Sequence, residues 1–131
     1  VIITRSIQMA EPFLERLSQV VAGLEPLPID GVTLECKHFF SGAALYANGK
    51  MCASLGPVGF ALKLAERRRQ DLIRAGKGEE FRFFPNGPIK REYVVLSGSV
   101  IQDENELQEL VVASVNFVLG SPGSNMVIDN G

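Results

Sequence analysis

The side chains best equipped for chemistry are few. His38 is the single histidine, and Cys36, Ser41 and Cys52 are the candidate nucleophiles to set beside it. A nucleophile and its base must sit within hydrogen-bond reach. Cys36 and His38 share one face of an alternating segment, about 7 Å apart along it, which is too far for a direct bond. Cys52, on a neighbouring strand, could be nearer. No G-x-S-x-G, G-x-x-x-x-G-K-[ST] or G-x-G-x-x-G run accompanies them. One histidine and two cysteines without C-x-x-C spacing do not compose a zinc set. The sequence therefore implies no catalytic residue, no metal and no cofactor, and two free buried thiols in a reducing compartment account for the cysteines.

A second group could bind rather than react. Net charge is −2, but residues 63–91 hold nine basic and four acidic side chains, against four basic and eleven acidic elsewhere. The basic cluster centres on Arg67, Arg68, Arg69, Arg74 and Lys77, with Lys90 and Arg91 following. Such asymmetry suits a nucleic-acid or acidic-protein face and equally suits a solvated helix. At 100° per residue Arg69 falls on the apolar side of its helix. It is then either a packed stem whose head finds a carbonyl or carboxylate, or a charge positioned at a groove. Tyr46 could present its hydroxyl to a ligand, or pack with only its tip at the surface.

The elements that must position these residues are legible in the pattern. The length of 131 residues fits one domain with an ordinary core. A composition 46% hydrophobic and 21% charged fits a globular chain. No run approaches the ~20 apolar residues of a membrane span, and Val1–Arg5 lacks the form of a secretory signal, so a cytoplasmic location is expected. Residues 10–23 read as an amphipathic helix through Phe13, Leu14, Leu17, Val20 and Val21, with Pro12 in the first turn. Val32–Phe40 alternates strictly, Ser41-Gly42 interrupts it, and Ala43–Ala47 resumes. These pieces read as one bent strand, or two collinear ones, with Gly42 at the bend. Asn48-Gly49 supplies the two positive φ values of a type I′ turn, making Lys50–Leu55 the hairpin partner.

Phe60–Leu64 is a third strand and Ala65–Ala75 a helix ended by Gly76. Phe81–Phe84 and Ile89–Leu96 follow as an antiparallel pair. Asp103, with Glu106 three residues on, caps a final helix whose stripe is Leu107, Leu110, Val111, Ser114 and Val118. Val112, Val115 and Leu119 widen that stripe, which offers surface to a second subunit or to the monomer's own core. The domain spans residues 1–120, and residues 121–131 read as a flexible C-terminal tail. The order is helix, three strands, helix, two strands, helix. Its simplest architecture is α+β, an antiparallel sheet with helices on one face.

The run Phe40-Ser41-Gly42-x-x-Leu45-Tyr46-x-Asn48-Gly49-Lys50-Met51 resembles the N-terminal domain of the TfoX/Sxy family. That family carries Met-Phe-Gly-Gly, an aliphatic-aromatic strand, a turn ending in Gly-Lys and a further strand. The likeness continues through Leu62-Lys63-Leu64, Arg69-x-x-Leu72, Phe81-Arg82-Phe83 and Tyr93–Leu96. Met-Phe-Gly-Gly stands here as Phe39-Phe40-Ser41-Gly42, and Leu64-Ala65-Glu66 replaces the family's acidic opening of the middle helix. The motif residues on this chain are Phe40, Gly42, Tyr46, Gly49 and Lys50. The resemblance implies a two-layer α/β sandwich of secretion-chaperone-like type, α-β(3)-α-β(2)-α. It also implies a link to transcriptional regulation of competence, a role that full-length members perform with a second, helical domain.

Three functions remain open from the sequence. The first is a non-enzymatic protein-binding or regulatory module, with a homodimer as one form. The second is nucleic-acid binding through the basic middle helix, with Arg67, Arg68, Arg69, Arg74, Lys90 and Arg91 as contacts. No helix-turn-helix or RNA-stacking motif supports it. The third is a small enzyme of unknown reaction. No membrane partner is expected.

Overall fold

A computed structural model describes residues 2–3, 11–82 and 86–120 of the chain. Eleven elements follow in order among them. They are β1 (Ile2–Ile3), α1 (Glu11–Leu24), β2 (Leu34–Phe39), β3 (Gly42–Ala47), β4 (Lys50–Gly56), β5 (Gly59–Lys63), α2 (Glu66–Arg74), β6 (Gly78–Arg82), β7 (Ile89–Leu96), α3 (Gly98–Gln102) and α4 (Glu104–Leu119). The sheet order is β1-β2-β3-β4-β5-β7-β6. β1 runs parallel to β2, and the other neighbours are antiparallel. The α+β class and the two-layer arrangement are those the sequence implies.

One strand assignment is corrected. Val32–Phe40 and Ala43–Ala47 are neither a bent strand nor collinear. They fold back on each other as β2 and β3, with Leu34 opposite Ala47 and Phe39 opposite Gly42. Four strands, not three, therefore separate α1 from α2. The reversal is made by Phe40 and Ser41, with Phe40 at φ 54°. Alternation fails as a guide here because a phenylalanine occupies a turn position. Gly42 is needed for a different reason from a bend. A Cβ on it would stand 2.3 Å from the Leu55 carbonyl oxygen and 3.0 Å from the Gly56 Cα. Only glycine lets β3 approach the end of β4 this closely.

The other end of β3 behaves as expected. Asn48 and Gly49 adopt φ 49° and 84°, and Ala47 pairs with Lys50 across the turn. The asparagine also ties in the segment before β2. Its Oδ1 accepts from the Thr33 N–H at 2.8 Å and its Nδ2 donates to the Gly31 carbonyl at 3.2 Å.

Residues alternate between two unlike faces. Leu34 and Cys36, Ala43 and Leu45, Ala53 and Leu55, Phe60 and Leu62, and Val94 and Leu96 join one buried cluster. It is roofed by Leu14, Leu17, Val21 and Leu24 of α1, by Leu107, Leu110, Val111 and Val115 of α4, and by Leu72 of α2 and Val100 of α3. Each such leucine or valine stabilises the fold by roughly 1.5–3 kcal/mol. A bulge in the β3–β4 ladder at Leu45/Tyr46 puts Cys52 in the same cluster. The Ser114 hydroxyl of α4 donates to the Cys52 carbonyl at 2.9 Å and clamps helix to sheet there.

The helix boundaries follow local chemistry. The Asp103 carboxylate accepts from the Glu106 N–H at 3.1 Å, the N-cap expected for α4, and Gly120 ends that helix at φ 62°. α3 is a short helix between β7 and the Asp103 cap, in a stretch for which the sequence pattern predicts no element. β6 begins earlier than expected, at Gly78, and Phe83 and Phe84 lie outside the described residues, as does the tail 121–131. Val112 and Leu119 are half-buried and Val115 is fully buried, so the broad apolar side of α4 is spent largely within the monomer.

Candidate binding site at the open end of the sheet

The face opposite the helices is built from small residues in its centre. Ala44 pairs with Ser54, and Ser54 with Ala61, in one cross-strand row. Nearer the β2–β3 turn, Phe39 faces Gly42, and Gly56 faces Gly59. The absence of side chains along this line leaves a cavity of 840 Å³. Its floor is Gly42, Ser54, Gly56 and Gly59, Phe39 and Phe81 stand at its sides, and Phe40 and Val58 form part of its rim. Cavities of this size are typical of small-molecule sites.

The rim is apolar and exposed. Phe40 is 79% accessible and Val58 41%. The two belong to different turns, β2–β3 and β4–β5, brought together at one end of the sheet by strand register. The Phe40 ring lies 4.5 Å from that of Phe39. A phenylalanine at φ 54° is a backbone outlier for so bulky a side chain, and such outliers concentrate at functional sites. Polar character at the mouth comes from Ser41, Glu80 and Arg82, and the Arg82 Nη1 donates to the Gly87 carbonyl at 2.6 Å.

Away from this end the open face changes character. Tyr46 is half-buried beneath the Lys37 ammonium, 5.1 Å above its ring. Tyr93 stacks at 5.6 Å on Phe81 and lies under the Lys63 ammonium at 5.4 Å. Burial pushes the Tyr93 phenol up to about 12. These tyrosines are packing elements, capped by cations.

The arginines of α2 are mostly engaged within the chain. Arg68 Nη2 donates to both carboxylate oxygens of Glu109 on α4, at 2.7 and 3.0 Å. Arg69 donates to the Leu64 carbonyl just before its own helix. It is the packed stem with a satisfied head, one of the two readings its helical phase allowed. Arg74 pairs with Asp71 at 3.2 Å, and Lys77 with Glu106 at 2.8 Å. Arg67 and Arg91 are exposed, and neither has an ion-pair partner among the described residues. Lys90 and Arg91 lie at the start of β7, on a different element from the α2 arginines. Of the motif residues, Phe40 and Gly42 line the cavity. Tyr46 packs on the open face, and Gly49 and Lys50 lie at the opposite turn.

Neither thiol is set up for nucleophilic work. Cys36 and Cys52 are free and fully buried. Desolvation raises both, Cys52 to about 12. The Cys52 thiol donates weakly to the Leu45 carbonyl at 3.5 Å. Among the described residues no group of three His, Cys, Asp or Glu side chains could hold a metal ion, and no helix is long and apolar enough to cross a membrane.

Sequence reasoning singled out Phe40 and Gly42 as motif residues but missed Ser54, Gly56, Val58 and Gly59. The only available signal was Gly56-Pro57-Val58-Gly59, an apolar residue inside an otherwise ordinary turn.

No curated protein matches the chain. A family model described as the TfoX N-terminal domain matches residues 30–118, from the turn before β2 nearly to the end of α4. That span is more than half of the chain and contains the whole cavity, and on this evidence the protein belongs to the TfoX N-terminal domain family.

Proposed function

We propose that this chain is a non-enzymatic binding module of regulatory type, acting in the cytoplasm through a protein partner or a second copy of itself, with the Phe40–Val58 end of the sheet as the contact surface. The observation that carries this reading is the pairing of a strained, 79% exposed phenylalanine with an exposed valine at the mouth of an apolar cavity. Large apolar side chains left exposed beside a pocket mark interaction surfaces. Membership of the TfoX N-terminal domain family supports a regulatory role, and a link to transcription or competence is the finer form of the same proposal. The nucleic-acid alternative is weakened by the pairing of Arg68, Arg69 and Arg74 within the chain.

Sedimentation equilibrium and a low-salt duplex-binding assay test the reading together. The expected result is concentration-dependent dimerisation that Phe40→Ser combined with Val58→Ser weakens at least ten-fold, with no duplex binding. A strictly monomeric chain that binds duplex DNA, and loses that binding on Arg67→Ala with Arg91→Ala, would overturn it.

A further inference from the structure

We infer that the groove on the helix-covered side of the β4–β5 turn binds a medium-chain monocarboxylic acid, with Arg16 holding the carboxylate and the groove wall taking the hydrocarbon chain. The site lies across the turn from the Phe40–Val58 surface and does not depend on the role given to that surface.

The groove has a volume of 730 Å³ and lies between α1, the β4–β5 turn and α3. Its apolar wall includes Phe13 and Val20 of α1, Pro57 of the turn, Phe60 of β5 and Ile101 of α3. Phe13, Val20 and Ile101 are only half-buried, so a hydrocarbon chain laid on them removes further apolar surface from water. Arg16 is the single charged residue lining the groove. Its guanidinium stands 5.5 Å over the Phe13 ring, which stations the charge against the wall. The positions one turn away on α1 are Pro12, Phe13, Gln19 and Val20, so its own helix supplies no carboxylate. Arg68, Arg74 and Lys77 each have a carboxylate partner, whereas Arg16 has none among the described residues. A planar cation with uncommitted donors beside an apolar wall complements an anion carried on an apolar body. One cation matches the single charge of a carboxylate, whereas a phosphate monoester would bring nearly two. Gln19, the other polar side chain in the groove, adds amide N–H donors.

Octanoate and octanamide provide the probe pair, since they share one chain and differ in charge. Binding is read by amide shifts at Val20, Phe60 and Ile101, with Gly42 reporting on the open-face cavity. Both should bind the wild-type chain through the groove, octanoate about five-fold tighter, the factor a partly exposed ion pair supplies. Butanoate should bind about ten-fold more weakly than octanoate, because less chain is buried. Arg16→Gln should bring octanoate down to the affinity of octanamide and leave octanamide unchanged, which also certifies that the variant is folded. Arg16→Lys should keep a preference for the acid. The inference is overturned if neither eight-carbon probe shifts Val20 and Ile101 up to its solubility limit, if the shifts centre on Gly42, if butanoate binds as well as octanoate, or if the preference for the acid survives Arg16→Gln. Shifts at Val20 and Ile101 that arise on concentrating the chain alone, and that octanoate does not displace, would give the groove to a second copy and overturn it as well.

Discussion

Strand β3 runs between two tight turns that solve one geometric problem with opposite chemistry. At its C-terminal end Asn48 sits at φ 49°, and at its N-terminal end Phe40 sits at φ 54°. Asparagine tolerates the left-handed region, and here it repays the position with bonds to Thr33 and Gly31. Phenylalanine has no such tolerance, and its ring is left 79% exposed. Local sequence and backbone agree at one turn and conflict at the other. Where they conflict, the proposed contact surface gives the side chain a role other than folding. The first turn registers the hairpin, and the second presents an apolar group beside a cavity.

The contrast can be broken most forcefully at Gly42. A Cβ there collides with the Leu55 carbonyl, which is backbone and cannot swing aside. Gly42→Ala should cost about 3 kcal/mol or more, read as a fall in the urea midpoint. Gly49→Ala, at φ 84° but with open space around its Cβ position, should cost only about 1 kcal/mol. Equal losses at the two glycines would mean that the β2–β3 turn is no tighter against β4 than its counterpart is against solvent.

A smaller effect separates the two faces. Cys52 is raised from its ordinary 9.0 to about 12 chiefly by burial under α4. The folded state then holds its thiol proton more tightly than the unfolded chain does. The stabilisation is complete below pH 9 and drains away as pH rises towards 12, by about 1.4 kcal/mol per unit. Between pH 9 and 10.5 this amounts to roughly 2 kcal/mol, and denaturant titrations of wild type and Cys52→Ala should converge by that amount. Parallel curves would mean that water reaches the helix-covered face.

Much of the molecule is written locally. The Asn48-Gly49 turn, the Asp103 cap and the stripes of α1 and α4 are legible because each depends on residues within a few positions of one another. Even the direction of Arg69 follows from its helical phase. The β2–β3 reversal is hidden because the apolar alternation runs straight into Phe40, a residue that no turn rule selects. The Arg68–Glu109 pair is hidden because its partners are 41 positions apart. The cavity is the least legible feature. Its floor comes from β3, β4 and β5, and only the registers Phe39–Gly42 and Gly56–Gly59 bring those small residues to one end of the sheet beside Ser54.

The finest test of the two turns exchanges their chemistry. Asn48→Ala removes two side-chain hydrogen bonds and a residue suited to positive φ, and should lower stability by about 1 kcal/mol. Phe40→Asn should move stability the other way. Relief of the left-handed strain is worth about 1 kcal/mol. Against it stand the contacts of the ring, among them that with Phe39, worth about 0.5 kcal/mol. The expected net gain is at most about 0.5 kcal/mol, seen as a higher urea midpoint at unchanged slope, together with weaker self-association. A variant that gains stability while losing association is the signature of a residue held for binding at the expense of the fold. If Phe40→Asn instead lowers stability by 1 kcal/mol or more, the ring is holding the turn together, and the two ends of β3 differ only in how they fold.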